Sequence, residues 1–282
     1  MAVISHPASA ALYALFVWWF STGAVLLIVG LPMCDSRGAF VAAAFVFAAA
    51  LFGLALGSTN VDVIGVYFAF TSAILLWGAL EFVFLTGFIV GRRTIPCPEG
   101  CVGWRRAFYA VEAVLYHEIA LLLSGICVVA VTWGADNQFG AWTFLVLWTL
   151  RISAKLNLFL GVPVLNQEFL PRRLQYLTTF FKKGPINLLF PASVTLITSA
   201  ITMFFSATMA GAATDPVSVG YALLGSLTAL GLLEHWFMVL PLPVARLWSW
   251  AMGRDERLAE IPAASLAETI GRQRIGNSTR NP

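Results

Sequence analysis

Charge is what this sequence has least of. Only 11% of its 282 residues are Asp, Glu, Lys or Arg, and 59% are hydrophobic. Soluble domains carry about 25% charged residues, so this chain lacks the polar surface to cover a water-soluble body. Soluble enzymes, nucleic-acid binders and disordered proteins are excluded on that ground. Histidine is scarce too. Three are present, too few for the clustered histidine boxes of membrane hydroxylases and desaturases. The four cysteines are sparse and fall on the expected cytoplasmic side or inside a span, so no disulfide framework is expected. No Gly-rich phosphate loop, H-E-x-x-H or G-x-S-x-G occurs. No Lys or Arg precedes the first apolar run, which is too long for a signal-peptide core, so that run reads as a retained helix.

What is present is a series of seven long apolar runs, at residues 12–33, 39–57, 63–90, 107–133, 141–161, 188–210 and 219–240. About 20 residues of helix cross a hydrocarbon core of about 30 Å, and a spanning segment must satisfy its own backbone hydrogen bonds. The breaks between runs carry turn chemistry, such as Cys34-Asp35-Ser36-Arg37-Gly38 and Gly134-Ala135-Asp136-Asn137. The fold expected is therefore all-α, a polytopic seven-helix membrane bundle. It forms a single domain over residues 1–245, with a C-terminal tail over 246–282.

The basic residues orient this bundle. Fifteen of the 17 Lys and Arg lie in loops and the tail: Arg37, then Arg92, Arg93, Arg105 and Arg106, then Arg172, Arg173, Lys182 and Lys183, then six arginines from Arg246 to Arg280. With seven crossings all fifteen share one side, which the positive-inside rule makes cytoplasmic. The N-terminus is then periplasmic and the C-terminus cytoplasmic, in a bacterial inner membrane with lipid as the immediate partner. Within 168–183, Leu170, Leu174, Leu177 and Phe181 recur at helical spacing between basic residues. That pattern predicts an amphipathic interfacial helix on the cytoplasmic side.

The two remaining basic residues lie inside the fifth run, among polar company that lipid does not tolerate. Glu81, Glu112, His117, Glu118, Arg151, Lys155, Asn157, Glu234 and His235 all fall at mid-membrane or in the cytoplasmic half. A charge at that depth costs roughly 2.5–3.5 kcal/mol on insertion scales, so these groups should face inward and pair. Arg151 and Lys155 are four apart on one helix face and can neutralise two of the carboxylates. The cluster expected is Glu81, Glu112, Glu118, Arg151, Lys155, Asn157 and Glu234. Four functions are open to it. It can be a set of helix clamps. It can hold a tetrapyrrole, with His117 or His235 on the central metal and Trp77, one turn before Glu81, lining the pocket. It can be a carboxylate-histidine metal site, with iron as one candidate, drawn from Glu81, His117, Glu118, Glu234 and His235. The adjacent pairs His117-Glu118 and Glu234-His235 argue against that, since helix neighbours point about 100° apart. Or it can be a proton or solute relay, which the absence of an inverted repeat weakens.

The run from Trp142 through Arg151, Lys155, Asn157, Gly161 and Pro163 to Asn166, Glu168 and Pro171 resembles the signature of the photosynthetic complex assembly protein 2 family (PuhE) of anoxygenic phototrophic bacteria. Trp77-Gly-Ala-Leu-Glu81, Phe84-Leu-Thr-Gly87, Tyr116-His117-Glu118 and Phe190-Pro191-Ala-Ser-Val are similar to it as well. The resemblance implies a role in reaction-centre assembly and bacteriochlorophyll supply. It implies bacteriochlorophyll or another tetrapyrrole as ligand. The partners implied are reaction-centre or light-harvesting subunits or pigment-synthesis enzymes. It assigns no catalytic residue.

Overall fold

The computed structural model describes residues 6–212 and 214–252. Seven α-helices in it are long and apolar enough to cross a membrane. They are α1 (Pro7–Val29), α2 (Arg37–Ser58), α3 (Val63–Leu85), α4 (Gly103–Val131), α5 (Phe139–Leu160), α6 (Leu189–Ala210) and α7 (Pro216–Phe237). At 22–29 residues each, they extend over about 33 Å or more at 1.5 Å per residue, enough for the bilayer core.

The starts of four helices are written in the sequence. His6, Ser36, Asp62 and Asp215 cap α1, α2, α3 and α7 through side-chain acceptors, and proline holds the first position of α1 and α7. The tightest cap is Asp62 Oδ1, which accepts from Gly65 N at 2.6 Å. Asp62→Ala is expected to lower stability by about 1 kcal/mol, read as a shift in thermal unfolding in detergent, with Asp62→Asn near wild type.

Helices α3 and α7 form the centre, with 50% and 61% of their spanning windows buried against 17–28% for the other five. Helix α1 packs across the α3–α7 pair on one face and α5 on the other. Helix α2 flanks α3, α6 flanks α7, and α4 sits beside α2 and α5. Residues with little or no side chain set these approaches. A Cβ on Gly231 of α7 would lie 2.4 Å from a methyl of Leu150 on α5, so a larger residue there requires the Leu150 side chain to turn away.

Three expectations change. The third run does not stay helical to residue 90. Gly87 takes φ +82° and stops α3, with Gly87 N donating to Phe84 O and Phe88 N to Val83 O, the paired closure of a Schellman motif. Phe88, Ile89 and Val90 prolong the apolar run but lie beyond that stop.

The segment over 168–183 is not an interfacial α-helix. It forms two 3-10 helices, η1 (Gln167–Phe169) and η2 (Arg172–Phe180). At three residues per turn, Leu174, Leu177 and Phe180 share a face. They are buried against Phe84, Val90 and Ala113, so protein rather than lipid covers the apolar side. Its basic residues close the end of the bundle. Arg173 donates to Thr86 O at 3.0 Å and to Cys34 Sγ at 2.9 Å. From α4, Arg106 donates to Phe159 O and Phe180 O. Both arginines satisfy carbonyls at helix C-termini.

The first residues of the expected tail also belong to the packed body. The 3-10 turn η3 (Val244–Trp248) lies against α1, and Trp248 is buried there with Trp18, Trp19 and Phe169 around it. Arg254, Arg257, Arg272, Arg274 and Arg280 lie outside the described residues.

Candidate functional site: a polar layer beside an apolar groove

The site begins with the stop at Gly87. Beyond it the chain turns back along α4, and Gly91 meets the α4 backbone. A Cβ there would lie 2.3 Å from Glu112 O and 2.4 Å from Ala113 C. Hydrogen bonds seal the contact: Arg93 N donates to Glu112 O at 3.3 Å, and His117 N donates to Val90 O at 2.9 Å. This is irregular backbone held against a helix, with Val90 at its centre buried. It fixes His117, whose ring lies over Phe84 at 4.3 Å between centroids.

Polar side chains gather around that ring. Arg151 donates to Glu81 Oε2 at 2.8 Å. The other carboxylate oxygen, Glu81 Oε1, stands 4.0 Å from His117 Nε2, too far for a hydrogen bond. Both of those atoms are buried and have no hydrogen-bond partner among the described residues. One turn along α5, Lys155 Nζ donates to Glu118 Oε1 at 2.5 Å. The two cations of α5 thus each hold one carboxylate, from α3 and α4 respectively.

A second arm lies between α5, α6 and α7. Ser153 Oγ is 2.8 Å from His235 Nε2, and His235 Nδ1 is 2.7 Å from Gly231 O. A carbonyl only accepts, so Nδ1 carries the proton and Ser153 donates to Nε2. Asn157 donates to Ser153 O and Ser193 Oγ, and Asn187 donates to Asn157 Oδ1. On the opposite face Trp18 Nε1 donates to Glu234 Oε1 at 2.7 Å.

The expected residues therefore separate. Glu81, His117 and Arg151 meet, as do Glu118 and Lys155. Glu112 is half-buried on α4 and joins no ion pair among the described residues. Glu234 pairs with a tryptophan, and His235 has both ring nitrogens satisfied. The metal set Glu81, His117, Glu118, Glu234 and His235 does not converge: among the described residues no three His, Cys, Asp or Glu side chains are placed to hold one ion. The adjacent residues point to different helices, as the helical step requires. Trp77 belongs to the apolar layer one turn away, edge-on to Phe144 at 5.7 Å. Sequence reasoning missed Ser153, Trp18, Ser193 and Asn187. Ser153 carried a signal, since it sits between Arg151 and Lys155 in sequence and so projects to another face.

His117 also lines a groove of about 360 Å³ between α2, α3 and α4. Its other walls are apolar or small, among them Phe40, Ala44, Ala79, Leu80 and Leu123. Pockets of this size and lining are ordinary small-molecule sites when a few polar groups converge on them. The groove's polar lining is His117, Ser124 and Cys127, and His117 is 1% exposed with no partner at Nε2 among the described residues.

The model of a family described as "Protein of unknown function (DUF3623)" matches residues 4–259 of the chain. A protein of Rhodobacter capsulatus described as "Uncharacterized 30.4 kDa protein in puhA 5'region" is 40% identical over 278 residues, covering 97% of this chain and 100% of its own length. No solved structure matches the chain.

Proposed function

Because the chain belongs to the DUF3623 family, and a relative of it is named for the 5' region of puhA, we propose that it is an assembly factor of the bacterial photosynthetic apparatus. It acts in the inner membrane, N-terminus outside and C-terminus in the cytoplasm, and binds, delivers or modulates the supply of bacteriochlorophyll or a precursor. The relative's gene position supports this reading, and so does the likeness of the 142–171 run to the PuhE family. Its partners on this reading are reaction-centre or light-harvesting subunits or pigment-synthesis enzymes.

The observation that carries ligand binding is His117 Nε2, buried without a partner beside an apolar groove. Leaving such an atom unpaired costs about 1–3 kcal/mol, a cost that a ligand atom would remove. His235 fits this role poorly, because Ser153 and Gly231 already satisfy it. The donor set suits one contact to a tetrapyrrole. The groove holds about 360 Å³ and takes only part of such a molecule. When bound, the pigment would supply light absorption, and the protein's part is to hold and release it.

Purification from a pigmented host should yield tetrapyrrole absorption bands that His117→Leu loses at normal protein levels. Absence of any tetrapyrrole, with normal pigment content in a deletion strain, removes the reading. A pure scaffold is the second reading, favoured by the hydrogen bonds that Arg151, Lys155, His235 and Asn157 each make to a neighbouring helix. It requires His117→Gln to leave phototrophic growth intact.

A further inference from the structure

The loop between α3 and α4 carries two of the four cysteines, and neither the polar layer nor the groove uses them. Cys97 and Cys101 are both free and part-exposed, outside the spanning helices. One thiol donates a hydrogen bond to the other. The chain between them is shaped for this approach. Cys101 N donates to Pro98 O at 3.2 Å, and Gly100 takes φ +70°. That closes a turn whose third residue needs the left-handed backbone that glycine supplies. Pro96 and Pro98 flank Cys97 and restrict the backbone on both sides of it.

Cys97 is also anchored to its surroundings. Its N donates to Thr179 Oγ1 of η2 at 2.9 Å, and Arg93 Nη2 donates to Pro96 O at 3.1 Å. Its side chain packs against the cluster that holds Leu174, Leu177 and Phe180. The charges of Arg106 and Arg93 act on Cys97, and Arg105 is within electrostatic reach of Cys101. Two of these guanidiniums are fixed in place. Arg93 lies over the Tyr109 ring at 4.2 Å, and Arg106 is bonded to Phe159 O and Phe180 O. The thiolate is the reacting form of cysteine, and neighbouring cations favour it. A structural zinc takes four ligands, and among the described residues no third His, Cys, Asp or Glu joins the pair. Two thiols already in contact are instead set up to form a bond with each other.

We propose that Cys97 and Cys101 are a redox-active dithiol that closes to an intramolecular disulfide by exchange with a small-molecule disulfide. With glutathione disulfide as the oxidant, Cys101 loses its proton to water. Its thiolate attacks one glutathione sulfur, forming a mixed disulfide and expelling a glutathione thiolate. That thiolate takes the Cys97 proton. The Cys97 sulfur then attacks Cys101 Sγ and expels the second glutathione, which is protonated by water. Two thiols are oxidised by two electrons, and one glutathione disulfide is reduced to two glutathiones. Cys101 attacks first because burial and the contact with Cys101 push the Cys97 thiol up, which leaves less of it as thiolate. The proposed orientation puts this loop in the cytoplasm, where a disulfide is transient and marks an oxidising episode. The inference is independent of the pigment reading.

The test uses the full chain in phosphatidylcholine nanodiscs, equilibrated with glutathione buffers, quenched in acid, alkylated and digested with trypsin. Cleavage after Arg93 and Arg105 leaves both cysteines in one peptide, residues 94–105. In excess glutathione disulfide that peptide should lose the mass of two hydrogens and both alkylation sites. Dithiothreitol should restore both. Cys34 and Cys127 fall on other peptides and should remain thiols. Cys97→Ser should stop at a glutathionyl group on Cys101, and Cys101→Ser should acquire one on Cys97 several-fold more slowly. Thermal unfolding confirms that both variants are folded, and the wild-type measurement stands without them. A 94–105 peptide that keeps both thiols in excess glutathione disulfide overturns the proposal. So do two separate glutathionyl groups on the wild-type peptide, or a bond to Cys34, Cys127 or a second chain. Equal rates in the two variants overturn the order of attack.

Discussion

Arg151→Leu is expected to destabilise the bundle by about 3 kcal/mol, as a buried carboxylate that loses its partner does. Glu81 is the more enclosed member of the pair, at 13% side-chain exposure against 39% for Arg151. Without the guanidinium, its carboxylate faces His117 and apolar walls. Glu81→Leu should cost less, because Arg151 has a long stem and an open side along which to reach more polar surroundings. The double variant Arg151→Leu/Glu81→Leu should recover most of the loss, since two apolar groups replace two desolvated charges. Thermal unfolding of the four proteins in detergent gives the coupling directly. If the double variant loses the sum of the two single losses, the pair is not a coupled unit and the polar layer is not held by charge neutralisation.

The same pair shows what a sequence reveals about a membrane site and what it hides. That Glu81, His117 and Arg151 share one level of the bundle was legible, because each residue's place along its helix gives its height. That Arg151 and Lys155 share a face was legible from the four-residue step. Which carboxylates they meet was not, because that depends on the rotation of α3, α4 and α7 about their own axes. Glu81 and Glu118 are turned toward α5. Glu234 is turned toward α1, where Trp18 meets it. The sequence offers no periodic signal for that rotation in α3 or α7, whose apolar residues run all round the helix.

Short irregular segments were the other blind spot. In 168–183 the apolar residues fit an α-helical spacing almost as well as the three-residue spacing adopted. Pro171 at the N-cap of η2 and the contact of Leu174 and Leu177 with α3 and α4 decide between them. Likewise Thr86-Gly87 is a stop signal in plain view. It is masked by the three apolar residues that follow, since hydropathy cannot separate a helix from an extended segment buried against one.

That extended segment is where the smallest chemical change should have the largest effect. Gly91→Ala adds one methyl group. It would lie 2.3 Å from Glu112 O and 2.5 Å from Ala113 O, and both are backbone atoms of α4 with no rotamer to turn away. Relief requires the 87–93 segment and α4 to separate. Separation breaks the bonds from Arg93 N to Glu112 O and from His117 N to Val90 O and leaves these groups unpaired in an apolar setting. Overpacking alone costs about 1–3 kcal/mol, and each orphaned backbone group adds about 1–3 kcal/mol, so the variant should accumulate poorly or unfold far below wild type. Gly184→Ala is the control, with no atom within 4 Å of the added group and no left-handed backbone. It should match wild type. Because Val90 holds His117 by its backbone, any Gly91→Ala protein that does fold should also lose ligand retention at His117, though it alters no side chain of the groove. A Gly91→Ala protein with wild-type unfolding would show that the segment after α3 does not press on α4, and would remove the support proposed for His117.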